Sequence, residues 1–213
     1  MADVKRLKEE LSEIAVLAWQ RRLVAGAGGN VSLRIPASDL CLVTATGVAL
    51  CDVSPAAILT MHLQGEIVDA PAGCRPSKET GFHLAAYRLR PEVGAIVHVH
   101  PPHATAFAAK NHPLPLVTDG AAARLKTVPC LGYAPSGSPA LHRLVEDGLK
   151  KYPEATAFLL KNHGLIALGP HPKGAFYIAD LVEDTAKIAL WSRLVDEPPF
   201  PIVPDVWDAG GEA

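Results

Sequence analysis

Val4, Leu7, Leu11, Ile14 and Ala18 recur at helical spacing with charged residues between them, which predicts an amphipathic first helix ending before Ala25. Alternation takes over in VSLRI, where Val31, Leu33 and Ile35 share one side of a short strand. After the turn at Pro36 to Asp39, LCLVT predicts its hairpin partner. Ser54 followed by Pro55 signals a brief helix, and MHLQGEIVDA reads as a second hairpin turning at Gln64 and Gly65. From Ser77 the spacing is helical again. Phe82, Ala85, Ala86 and Leu89 fall on one face, Glu79, His83 and Tyr87 on another, and Pro91 closes the helix. His83 and Tyr87 read as satisfied polar groups near the core. In AIVHVH, Ile96, His98 and His100 alternate with Ala95, Val97 and Val99 until Pro101 and Pro102 break the strand.

Further on, ATAFAAK predicts a short helix, while Leu114 to Val117 and Thr127 to Leu131 predict strand segments; GAAARLK between them is ambiguous. Ser138 and Pro139 cap a helix with a stripe of Leu141, Leu144, Val145 and Leu149. AFLLKNHGLIALG gives two apolar strands around a tight Asn162-His163-Gly164 turn. The last long helix starts at Pro172, carries Ala175, Ala179, Val182, Ala186, Ala189 and Leu190, and stops before Pro198. Residues 198–213 form a proline-rich tail without periodicity, either disordered or laid across a neighbouring subunit. No linker or repeat divides the chain, so residues 1–213 are expected to form one domain of mixed α/β structure.

Composition narrows the partners. A hydrophobic fraction of 49% is ample for a core, and a net charge of -2 without runs of like charge gives no footprint for nucleic acid or an anionic membrane. Small molecules and copies of the same chain remain. The charged start MADVKRLKEELSE has no apolar signal region and no stretch is long enough to span a bilayer, so a cytoplasmic protein is expected. The four cysteines, Cys41, Cys51, Cys74 and Cys130, lack a paired spacing and read as small buried hydrophobes.

The candidate chemistry centres on Arg75 to His103. Side chains two apart on a strand face the same way, so His98 and His100 beside Glu79 form a plausible metal site if one more ligand arrives from elsewhere. His163 is held at a strand end as they are, whereas His103, beyond the prolines, lies on the rim. Glu79 sits in the first turn of its helix, where the helix dipole favours the ionised carboxylate. The loop GAGGN precedes a strand instead of following one, which rules out a dinucleotide fingerprint. It is either a tight connection or an anion cradle with Asn30 as an extra donor. There is no G-x-S-x-G elbow and no cysteine with a nearby histidine in a recognisable motif, which argues against nucleophilic catalysis.

GAGGNVSLR, TATG, RPSKE, HVHPPHATA and KNHGLIALG follow in the order and spacing of the class II aldolase/adducin family. The chain resembles its L-fuculose-1-phosphate aldolase and L-ribulose-5-phosphate 4-epimerase branch. That resemblance implies a three-layer α/β fold, with a mainly antiparallel sheet between helices on both faces. It implies one Zn²⁺ per subunit, or another divalent metal, on His98, His100 and His163, with Glu79 as the acid/base. It assigns substrate phosphate to Gly29, Asn30, Thr46, Gly47, Ser77 and Lys78, and implies a homotetramer with active sites between subunits. The expected activity is cleavage of a carbon–carbon bond in a small phosphorylated keto sugar through a metal-stabilised enediolate, giving dihydroxyacetone phosphate and an aldehyde.

Departures from the pattern open alternatives. Lys78 stands where the fuculose enzyme has a second serine, and Thr118 where it has the tyrosine that protonates the leaving group. PSKE is similar to the motif of 3-oxo-tetronate 4-phosphate decarboxylases, which makes decarboxylation of a 3-oxo sugar-acid phosphate the runner-up and epimerisation third. A non-catalytic adducin-like binding module is the alternative from another class.

Overall fold

The computed structural model describes residues 3–195. Eight strands form one sheet: β1 (Asn30–Arg34), β2 (Leu40–Thr44), β3 (Ile58–His62), β4 (Ile67–Asp69), β5 (Ala95–Val99), β6 (Cys130–Leu131), β7 (Ala157–Leu160) and β8 (Gly164–Gly169). Their order across the sheet is β4-β3-β2-β1-β5-β8-β7-β6. Every pairing is antiparallel except the parallel β6–β7 edge. The helices are α1 (Val4–Gln20), α2 (Thr80–Leu89), α3 (Pro102–Ala109), α4 (Asp119–Leu125), α5 (Pro139–Lys151) and α6 (Pro172–Trp191).

Alternation within the central strands divides the interior into two cores, because successive side chains leave opposite faces of a sheet. Val31 and Leu33 of β1, Ala95, Val97 and Val99 of β5, and Leu165 and Ala167 of β8 pack with α1, α3, α4 and α6. Ile96, Phe158, Leu160, Ile166 and Leu168 pack on the other face with α2 and α5. This is the expected three-layer arrangement. His98 shares the face of Ile96, so it points into the layer that holds α2.

Several boundaries differ from those read in the sequence. The helix expected from Ser77 begins at Thr80, and Glu79 is its N-cap residue, without a side-chain capping bond. Its carboxylate is occupied elsewhere. Leu114 to Val117 is not a strand, since Pro113 and Pro115 cannot donate to a ladder and Leu114 makes one backbone bond, to the Val128 carbonyl at 3.1 Å. The Thr127 to Leu131 strand shrinks to β6 after the positive-φ Lys126, and the ambiguous GAAARLK is mostly α4. Of the four cysteines only Cys41 is fully buried; the others are half-buried and all are free thiols. Among the described residues no helix is long and apolar enough to cross a membrane. The proline-rich tail lies outside the described residues.

Candidate metal centre and acid–base site

His98 and His100 reach the site from the end of β5, and His163 from the turn between β7 and β8, in which Asn162 takes a left-handed conformation (φ +56°). Since β5 pairs with β8, with Val99 opposite Leu165, the two strand ends are adjacent. The ligand nitrogens of the three histidines all lie within 4.8 Å of one another. His98 donates from Nδ1 to the Leu165 carbonyl at 2.9 Å, which turns Nε2 toward the cluster. Nε2 of His100 is 3.1 Å from Nε2 of His98.

Glycine makes room for this packing. A Cβ at Gly28 would come within 2.9 Å of the His100 ring, and one at Gly164 within 2.6 Å of it. Burial, then the neighbouring His98 and His163, pull the His100 pKa down to about 3, so its ring is neutral at pH 7 and its lone pair free for a cation. Three convergent imidazole nitrogens beside a carboxylate suit Zn²⁺ or a similar divalent ion, leaving coordination positions open.

Glu79 is 6% exposed and lies against this group. Oε2 is 3.1 Å from His98 Nε2 and Oε1 is 3.0 Å from His163 Nε2. Asn30 donates from Nδ2 to Oε2 at 3.1 Å, and Ser136 donates from Oγ to Oε1 at 2.7 Å. Burial alone would raise the carboxyl pKa, but hydrogen bonds from His163 and His98, the charge of His98 and the Ser136 hydroxyl outweigh it. The group is held well below the usual carboxylate range.

A cleft of about 330 Å³ opens beside Glu79, His100 and His163, and its wall includes Gly29, Asn30, Thr46, Gly47, Ser77 and Lys78. The backbone N–H of Thr46 donates to the Arg75 carbonyl at 2.9 Å, which ties the TATG loop to the PSKE turn. Ser77 Oγ accepts from the Glu79 backbone N–H at 3.2 Å and from Asn30 Nδ2 at 3.3 Å, so both residues also face the carboxylate. His98 is fully buried beneath the cleft. His103, expected on the rim, pairs through Nδ1 with Glu183 at 2.7 Å. His83 and Tyr87 share Ser32 Oγ, at 2.7 Å and 2.6 Å, within the core. The sequence pattern gives no sign of Ser136, which precedes the Ser138–Pro139 helix start.

Residues 9–190 match the family described as Class II Aldolase and Adducin N-terminal domain. The chain belongs to this family. It is 35% identical over 201 residues to the L-fuculose phosphate aldolase of Escherichia coli O6:H1, covering 94% of this chain and 89% of the relative. It is 33% identical over 187 residues to the 3-oxo-tetronate 4-phosphate decarboxylase of the same strain, covering 85% of each. A solved L-fuculose 1-phosphate aldolase superposes with a TM-score of 0.85 at 29% identity, over 97% of this chain and 93% of that one. These class II aldolase relatives are lyase-type enzymes.

Proposed function

We propose that this class II aldolase family member is a zinc-dependent lyase that cleaves a carbon–carbon bond of a small phosphorylated keto sugar by retro-aldol reaction. The observation that carries the reading is Glu79: an ionised, nearly buried carboxylate against three convergent imidazole nitrogens, at the wall of an open cleft. When bound by His98, His100 and His163, the cation supplies a Lewis acid for negative charge developing on a substrate oxygen. Glu79 takes up and returns the proton. Ser77, Asn30, Thr46 and the left-handed Gly29 and Gly47 (φ +75° and +77°) hold the phosphate in the same cleft, and Lys78 adds a positive charge there. The assembly is a homotetramer with its sites between subunits, a reading that follows from the family; Trp19, 44% exposed in a cleft beside His100, is apolar surface open to a neighbouring subunit.

Lys78 favours a second reading. An ammonium one residue before the base suits a substrate carboxylate, and the similar decarboxylase supports loss of CO₂ in place of an aldehyde. Incubating the zinc-loaded protein with ketose phosphates and 3-oxo sugar-acid phosphates, with separate assays for the released aldehyde, for CO₂ and for dihydroxyacetone phosphate, tests both. Dihydroxyacetone phosphate with an aldehyde and no CO₂ is the expected result; dihydroxyacetone phosphate with CO₂ and no aldehyde makes the decarboxylase reading the correct one, and no product at all rejects both.

A further inference from the structure

We propose that Ser136 is the positioning residue that keeps Glu79 aimed for proton transfer once a cation occupies the histidine site; this rests on the acid–base reading of Glu79. Each carboxylate oxygen has one imidazole neighbour and one neutral neighbour: His163 and Ser136 on Oε1, His98 and Asn30 on Oε2. An imidazole nitrogen that gives its lone pair to a cation carries no proton, so the two histidine contacts cannot persist as hydrogen bonds in the loaded protein. Ser136 and Asn30 are then the protein donors that remain from this set, one to each oxygen.

The two are not equivalent. An amide nitrogen only donates, whereas a hydroxyl donates to a carboxylate and accepts from a carboxylic acid. Ser136 can therefore stay bonded to Glu79 before and after the proton arrives, and Asn30 Nδ2 can do so only at an unprotonated oxygen. At 2.7 Å the Ser136 contact is also the shortest of the four.

Its placement is built into the fold from both sides of the Glu79 turn. Gly137, in a left-handed conformation (φ +68°), packs so closely on Lys78 that a Cβ there would lie 2.6 Å from the lysine Cβ. His142, in the first turn of α5, donates from Nε2 to the Lys78 carbonyl at 2.9 Å. Its ring lies on Gly81, where a Cβ would come within 2.4 Å. The loop carrying Ser136 is thus docked against the residue before Glu79, and the start of α5 that follows the loop is docked against the residue two after it.

The test uses zinc-loaded wild-type protein, Ser136→Ala and Ser136→Thr, with zinc affinity by chelator competition, crystal structures, and kcat and KM. The expected results are zinc affinity unchanged within about threefold, Ser136 Oγ still bonded to Glu79 in the loaded wild type, and a displaced carboxylate in Ser136→Ala. In that variant kcat falls by about 10- to 100-fold with KM altered less than about threefold, and Ser136→Thr recovers most of the loss. A loaded wild type in which Ser136 has turned away from Glu79 overturns the inference. So does a wild-type kcat in Ser136→Ala, or a loss seen only in KM, which would make Ser136 a substrate contact. If wild-type protein turns over no substrate of the panel, the lyase reading has failed, and the loaded structures alone decide whether Ser136 holds Glu79.

Discussion

Oε1 of Glu79 lies 3.0 Å from Nε2 of His163, a residue 84 positions further along the chain, so the proposed base and the third proposed ligand meet only in the folded protein. Their roles separate on substitution. Glu79→Gln keeps the size of the side chain and the three imidazole nitrogens, and is expected to retain one equivalent of zinc after desalting while kcat falls by about 10²- to 10⁴-fold. His163→Ala removes one nitrogen of three and is expected to lose the metal as well as the activity. Metal analysis beside the rate assay checks both, and a metal-free His163→Ala with full activity would remove the metal from the mechanism.

The histidines were legible in the sequence because strand alternation places His98 and His100 on one face and a tight turn isolates His163. Ser136 was not, because its partner is 57 residues away and a serine in APSGSP satisfies ordinary turn chemistry. Glu79 was read as a first-turn residue, but its turn is shaped by Ser77, whose hydroxyl takes the Glu79 N–H and whose carbonyl takes the Thr80 N–H. The central strands were visible from their alternation. The segment around Leu114 was misread because its apolar residues pack against the core without a ladder, a tertiary use of hydrophobicity that periodicity does not distinguish from a strand.

His83 makes stability depend on pH. Burial first, then His98, lower its pKa from 6.5 to about 3, while Ser32 occupies its Nδ1 and Nε2 has no partner. Below pH 6.5 the unfolded chain binds a proton that the folded chain refuses, so the full stability is present above 6.5 and declines as pH falls toward 3. The slope is roughly 1.4 kcal/mol per pH unit for this group. His83→Phe removes the titration and leaves Ser32 bonded to Tyr87. In urea unfolding of metal-free protein, the loss between pH 6.5 and 4.5 is expected to be smaller in the variant by about 2 kcal/mol. Equal losses in the two proteins would assign the acid sensitivity to other groups.

Arg90, at the opposite end of α2 from Glu79, is a buried cation without a carboxylate partner among the described residues. It donates from Nη1 to the Ala155 carbonyl at 2.6 Å, and from Nη2 to those of Leu149 and Tyr152 at 2.9 and 2.6 Å. These carbonyls lie at and just past the end of α5, where helix geometry leaves acceptors without partners. The planar guanidinium thus links the end of α2 to that of α5, and burial lowers its pKa. Arg90→Leu strands these acceptors and is expected to cost about 3 to 5 kcal/mol in urea unfolding. Arg90→Lys keeps the charge but not the fork, and is expected to recover less than half of that. Because roughly 15 Å of helix separates Arg90 from Glu79, kcat per folded molecule at low temperature is expected to stay within about twofold of wild type in both variants. A variant that loses activity without losing stability would show instead that the α2–α5 link tunes the position of Glu79.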